Sequence, residues 1–63
     1  MNASNLYVVV THWPDGDVTY STPYRGKDKA FRNAMQRRDL GADVEIVTAR
    51  EAGERRLMEA GNV

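Results

Sequence analysis

A short turn sequence between two β-forming segments most constrains what this chain can fold into. The turn is Trp13-Pro14-Asp15-Gly16-Asp17. Before it, residues 6–13 are rich in β-branched and aromatic side chains, and after it, residues 17–24 alternate between apolar and polar. Pro14 presets φ for a type I turn, and Gly16 can take the positive φ that a three-residue hairpin loop needs. The pattern predicts a β-hairpin.

The register of this hairpin follows from counting outward from the loop. The expected pairs are His12 with Val18, Val10 with Tyr20, Val8 with Thr22, and Leu6 with Tyr24. Because side chains alternate between faces, this register puts Val8 and Val10 on the core face and Val9 on the other. A slip of one residue would exchange the two faces.

A helix is predicted over about Lys27 to Leu40, after the hairpin. Its apolar residues recur with helical period, and Gly41 is suited to end it. The stripe is Ala30, Phe31, Ala34 and Met35. We expect Phe31 and Met35 to pack on the core face of the hairpin, so that Phe31→Ala would cost about 3–5 kcal/mol.

The remainder of the chain predicts one more strand and one more helix. Asp43–Thr48 is a β-forming segment, and Thr48 with Glu51 forms a capping-box pattern at the start of a helix over about Ala49 to Ala60. We therefore expect one α+β domain over residues 1–63, ordered β-β-α-β-α, with residues 1–5 and 61–63 frayed. The sheet is expected to be three-stranded and antiparallel, in order 2-1-3, with both helices on one face.

Composition and residue types argue against an enzyme. The chain has 63 residues, no cysteine, one histidine and zero formal net charge. His12 lies near Asp15 and Asp17, but these are typical turn residues and do not make a preorganised catalytic or metal site. We expect no cofactor, no small-molecule substrate, no membrane contact and a cytoplasmic location.

Basic residues are concentrated in and just before the first predicted helix. Residues 25–38 hold six basic side chains and one acid. Arg25, Lys29, Arg32 and Arg37 are candidates for contacts to a phosphate backbone, or for a charged rim around a protein interface. The alternative is an ordinary solvated helix face.

A candidate protein-binding patch lies on the sheet face that the first helix is not expected to cover. Its members are Tyr7, Val9, Trp13 and Val47. An exposed apolar patch on a small protein favours a protein partner or self-association. The alternative is that the second helix or a symmetric copy covers this face structurally. The outer strands offer a further route, since a partner strand can pair with an open sheet edge.

Two resemblances accompany this interpretation. The layout of hairpin, helix and strand in about sixty residues resembles small phage-encoded proteins that inhibit host machinery, such as inhibitors of RNA polymerase and anti-CRISPR proteins. This resemblance implies a protein that binds and modulates a host nucleic-acid-handling protein. Pro14-Asp15-Gly16 followed by residues 27–31 is also similar to the arm-binding domains of phage integrases, whose sheet contacts DNA.

Overall fold

The computed structural model describes residues 6–61 as three strands and two helices. In chain order these are β1 (Tyr7–His12), β2 (Val18–Tyr20), α1 (Lys27–Asp39), β3 (Asp43–Thr48) and α2 (Ala49–Gly61). The strands form one sheet in order β2-β1-β3, and both neighbouring pairs are antiparallel. The predicted α+β fold and its central first strand are confirmed.

The hairpin loop has the predicted geometry. Gly16 has φ of 99°, and its N–H donates to the Trp13 carbonyl at 3.0 Å. The Trp13 N–H donates to the Asp17 carbonyl at 2.8 Å, and Asp15 Oδ1 accepts from the Asp17 N–H at 3.0 Å. The pairs Val10 with Tyr20 and His12 with Val18 follow, as predicted.

The register changes beyond Ser21, because the second segment contains one extra residue. Tyr24 pairs with Tyr7, so the predicted pairing of Leu6 with Tyr24 is wrong. Ser21 makes both hydrogen bonds to Val9: its N–H donates at 3.0 Å and its Oγ accepts at 2.8 Å. Such a bulge moves the following side chains to the opposite face. Tyr24 accordingly packs with Val9, not with Val8 and Val10.

The two helices cover opposite faces of the sheet. On one face, Ala30 and Ala34 of α1 pack against Val9. On the other, Ala52 of α2 packs against Val8 and Val10. The expectation that both helices share one face is therefore wrong. Three consecutive valines in the central strand place apolar side chains on both faces, and each face needs its own cover.

Helix α1 is rotated away from the predicted orientation. Its buried side chains are Ala30 and Ala34, whereas Phe31 is 58% exposed and Met35 is 37% exposed. Two alanines allow the helix to approach the sheet closely. A residue next in sequence then lies about 100° further around the helix. The predicted burial of Phe31 beneath the helix is wrong for this reason.

The helix boundaries follow their predicted signals. At the end of α1, Gly41 has φ of 95°. Its N–H donates to the Arg38 carbonyl at 2.9 Å, and the Ala42 N–H donates to Arg37 at 3.3 Å, which is a Schellman arrangement. At the start of α2, Thr48 Oγ1 accepts from the Glu51 N–H at 3.1 Å. Across residues 6–61, neither helix has the length and apolar character needed to cross a bilayer.

Candidate interaction surface

The four residues predicted to form a docking patch do not form one open surface, although Tyr7 packs against the cluster that contains Val9. Val9 is fully buried beneath α1, and Val47 is 7% exposed beneath α2 on the opposite face. Tyr7 is half-buried, with Lys27 Nζ 5.7 Å from its ring centroid. Trp13 is half-buried at the hairpin end, where its Nε1 donates to Thr19 Oγ1 at 3.0 Å. In the described part of the chain, each face of the sheet carries a helix, so the expected open face is not present there.

Within residues 6–61, an open sheet edge is present instead along β3. On β1, Val9 directs its N–H and its carbonyl toward Ser21, away from β3. In an antiparallel ladder, residues alternate between pairs that exchange hydrogen bonds and pairs that do not. Ile46 lies opposite Val9, so its own N–H and carbonyl point outward. The same alternation applies to Val44, and within residues 6–61 the outward groups of Val44 and Ile46 meet no backbone partner in a turn, loop or cap. The Thr48 carbonyl differs, because Thr48 caps α2 and an N-cap carbonyl accepts the first hydrogen bond of its helix.

The exposed apolar flank of α1 runs along this same edge. Arg38 of α1 and Val44 of β3 line a shallow hollow of about 210 Å³, so this side of the helix faces the β3 edge. Phe31 and Met35 precede Arg38 by seven and three residues, and this spacing places all three on one side of a helix. We call the outward edge of β3 together with Phe31 and Met35 the edge surface.

The edge surface is only partly visible in the sequence. A β-forming segment such as residues 43–48 suggests an outer strand, but nothing local says which strand edge stays open. The sequence does not predict that Phe31 is exposed. Helical periodicity identifies an apolar stripe, but it does not show whether the alanine pair or the larger side chain beside it is buried. The one sequence signal that could have indicated close approach of this helix to the sheet is the pair of small residues, Ala30 and Ala34, about one helical turn apart.

The four predicted basic residues differ in exposure and in their contacts. Arg25, Lys29 and Arg32 are exposed and form no ion pair with other residues in the range 6–61. Arg37 is half-buried, and its guanidinium donates to the Asn33 side chain. Lys29 and Arg32 thus lie on the outward side of α1, whereas the Arg37 guanidinium is held by Asn33 of the same helix.

A polar cluster joins α2 to the other face of the sheet. Glu45 Oε2 lies 2.9 Å from Arg55 Nη1 and 3.2 Å from His12 Nε2. Arg55 also reaches Glu51 at 3.4 Å. The hydrogen bonds from Arg55 and then His12 lower the pKa of Glu45, and the bond to Glu45 raises the pKa of Arg55. The cluster therefore favours the charged forms of both partners.

Tyr20 of β2 makes a second polar contact between the sheet and α2. Its hydroxyl donates to Glu59 at 3.0 Å, and the Arg56 guanidinium carbon lies 5.7 Å from its ring centroid. Burial, and then the hydrogen bond to Glu59, raise the pKa of Tyr20. A groove of about 320 Å³ separates this part of α2 from the hairpin. Among the described residues, no three His, Cys, Asp or Glu side chains are grouped to hold a metal ion.

Comparison with known proteins returns no match for this chain among family models, curated proteins or solved structures. The polar cluster has its charges paired internally and serves to hold α2 in place. The edge surface combines unpaired backbone groups with exposed apolar side chains.

Proposed function

We propose that this chain is a small non-catalytic protein-interaction module that binds its partner through the edge surface. The observation that supports this function is the position of Phe31 and Met35 beside outward backbone groups of β3. A strand added to an open edge gains backbone hydrogen bonds, and neighbouring apolar side chains supply specificity. Both components are present on one side of the molecule.

The two sheet edges differ in a way that favours β3 as the binding edge. The β2 edge has three strand residues, followed by a bulge and by Pro23, which lacks an N–H. Short strands, bulges and prolines are the usual protection against unwanted strand pairing. The β3 edge is six residues long and contains neither a proline nor a bulge. Its outward residues include Val44 and Ile46, which have high β propensity.

The class of partner in this proposal is a protein that handles nucleic acid. The layout resembles that of small phage-encoded inhibitors, and a chain of this kind would act by occluding a partner in the cytoplasm. Lys29 and Arg32 lie on the outward side of the same helix that supplies Phe31, where they would steer encounter with an acidic or nucleic-acid-bound partner.

A site-specific crosslinking experiment tests the proposal. A photoreactive phenylalanine analogue at position 31 should crosslink one defined protein from the native host, and nuclease treatment should leave that product unchanged. The matched control carries the analogue at Leu57, which is 75% exposed on α2. Purified partner should then bind the native chain and the Leu57→Glu variant, but not the Phe31→Glu variant. Equal binding by both variants would exclude the edge surface.

Direct nucleic-acid binding is a second candidate function, supported by Arg25, Lys29 and Arg32, which are exposed and outside the ion pairs of residues 6–61. Binding of this kind weakens steeply as salt rises. A Lys29→Glu/Arg32→Glu variant should then lose a gel shift that an Arg50→Glu variant keeps. No shift by the native chain at low salt would eliminate this candidate.

A further inference from the structure

We infer that the partner at the edge surface is a second copy of this chain, joined β3 to β3 across a two-fold axis. The inference rests on the edge surface of the proposed function, and it assigns that surface to self-association in place of a nucleic-acid-handling protein. A two-fold axis perpendicular to the sheet makes the paired β3 strands antiparallel and continues the sheet to six strands. It also keeps both α1 helices on the same side, and an isologous contact of this kind closes on itself.

The core of the single chain is short of large apolar side chains. Every buried hydrophobic residue among those described is valine or alanine. The larger apolar side chains are mostly outside the core: Phe31, Met35, Leu40, Leu57 and Met58. A 63-residue chain buries only about 60% of its unfolded surface and is marginally stable by itself. A second copy supplies the missing burial at Phe31 and Met35.

The spacing of α1 over the sheet suits helix contact across the axis. Helix α1 packs on Val9 of β1 and on Val44 and Ile46 of β3, so its axis lies above the space between these strands. With neighbouring strands about 4.8 Å apart, the two α1 axes would be about 10 Å apart in the dimer. Packed helices lie about 8–10 Å apart. Phe31 and Met35 are on the flank that would fill this gap.

The charge of Glu45 selects between two registers that the outward groups of β3 allow. Pairing Ile46 with its own counterpart uses the outward N–H and carbonyl groups of Ile46, and it places Glu45 opposite Val47 of the second copy. A shift of one residue in each strand would place Glu45 opposite its counterpart. Like charges directly opposite one another destabilise a sheet. The Ile46-centred register is therefore the one we infer.

Sedimentation equilibrium and isotope-filtered NMR test this dimer. The native chain should sediment at twice its monomer mass of 7.1 kDa. A mixed sample of labelled and unlabelled chains should show an Hα–Hα contact between Glu45 and Val47 of different copies, since facing residues that exchange no hydrogen bonds approach most closely. A Glu45–Glu45 contact between copies would overturn the register.

Two variants locate the contact between the copies, and a third variant serves as the control. A synthetic chain N-methylated at Ile46 loses an outward donor while the β1 ladder stays intact, and Phe31→Glu places a charge in the helix contact. Both should be monomeric and folded by circular dichroism. Leu57→Glu, an apolar-to-acidic change on α2 at a residue that is 75% exposed against 58% for Phe31, should remain dimeric.

The outcomes separate this inference from the proposed function. A native chain that stays monomeric at about 1 mM overturns the second copy as partner. A dimer that survives Phe31→Glu overturns the placement of that copy at the edge surface. If that monomer still captures another protein through position 31, the interaction function stands and only its partner is different. If position 31 captures nothing, both proposals fail.

Discussion

Arg55 of α2 donates a hydrogen bond to Glu45 of β3 at 2.9 Å, and this pair ties the second helix to the sheet. The apolar support of α2 is small, since Ala52 is its buried side chain within the described part of the chain. The polar contact lies nearly one helical turn beyond Ala52, toward the C-terminal half of the helix. It thereby fixes a segment whose apolar residues, Leu57 and Met58, face solvent.

Replacing Glu45 with Gln should loosen α2 more than it destabilises the whole domain. We expect a loss of about 0.5–1 kcal/mol, because the pair is partly exposed and screened by water. Amide hydrogen exchange of residues 52–59 should accelerate, while the β1 amides change little. Glu54→Gln is the control, since the Arg50–Glu54 pair is more exposed. Equal effects of the two substitutions would contradict the assigned role of Glu45.

Acid should weaken the domain partly through Glu45. The pKa of this carboxyl is lowered in the folded state, mainly by Arg55. Its contribution is therefore fully present above the unfolded pKa of about 4.3, and it is lost as pH falls from there through the folded pKa. The free energy of unfolding should fall less steeply for Glu45→Gln than for the native chain below about pH 4.3. If the free energy of unfolding changes with pH in the same way for both chains, Glu45 does not contribute to the acid sensitivity.

Replacing Thr11 with valine should stabilise the protein. Thr11 is fully buried, and its Oγ1 has no hydrogen-bond partner among the described residues. An unpaired buried hydroxyl carries a desolvation cost, so its replacement by a methyl group should add about 1 kcal/mol. Thermal unfolding measures the change. Thr19→Val is the comparison: Thr19 accepts from the Trp13 indole, and its loss should be neutral or slightly destabilising.

Two glycine-to-alanine substitutions should act in opposite directions. Gly41 has φ of 95°, which a Cβ disfavours, so Gly41→Ala should cost about 1–2 kcal/mol. Gly53 lies inside α2, and a methyl group added there would meet no atom of another element within 4 Å. Gly53→Ala should therefore add about 1 kcal/mol through helix propensity. Urea unfolding of both variants checks the pair. A destabilised Gly53→Ala chain would contradict the open space around this residue.

The features that could be predicted are those set by neighbours in sequence. The loop at Gly16, the helix end at Gly41 and the cap at Thr48 each depend on a few adjacent residues, and each was found as expected. Strand order was also predictable, because a run of apolar residues on both faces of one strand favours the central position. These features together determined the α+β fold.

Tertiary structure alone decided which face of the sheet each helix covers and which helix residues are buried against it. A period of 3.6 residues defines a stripe, but the small volumes of Ala30 and Ala34 allow close contact that turns Phe31 outward. One extra residue after Ser21 moves Tyr24 to the other face, and local preferences do not reveal such a shift. The edge surface exists because packing, not propensity, determines which backbone groups and apolar side chains remain uncovered.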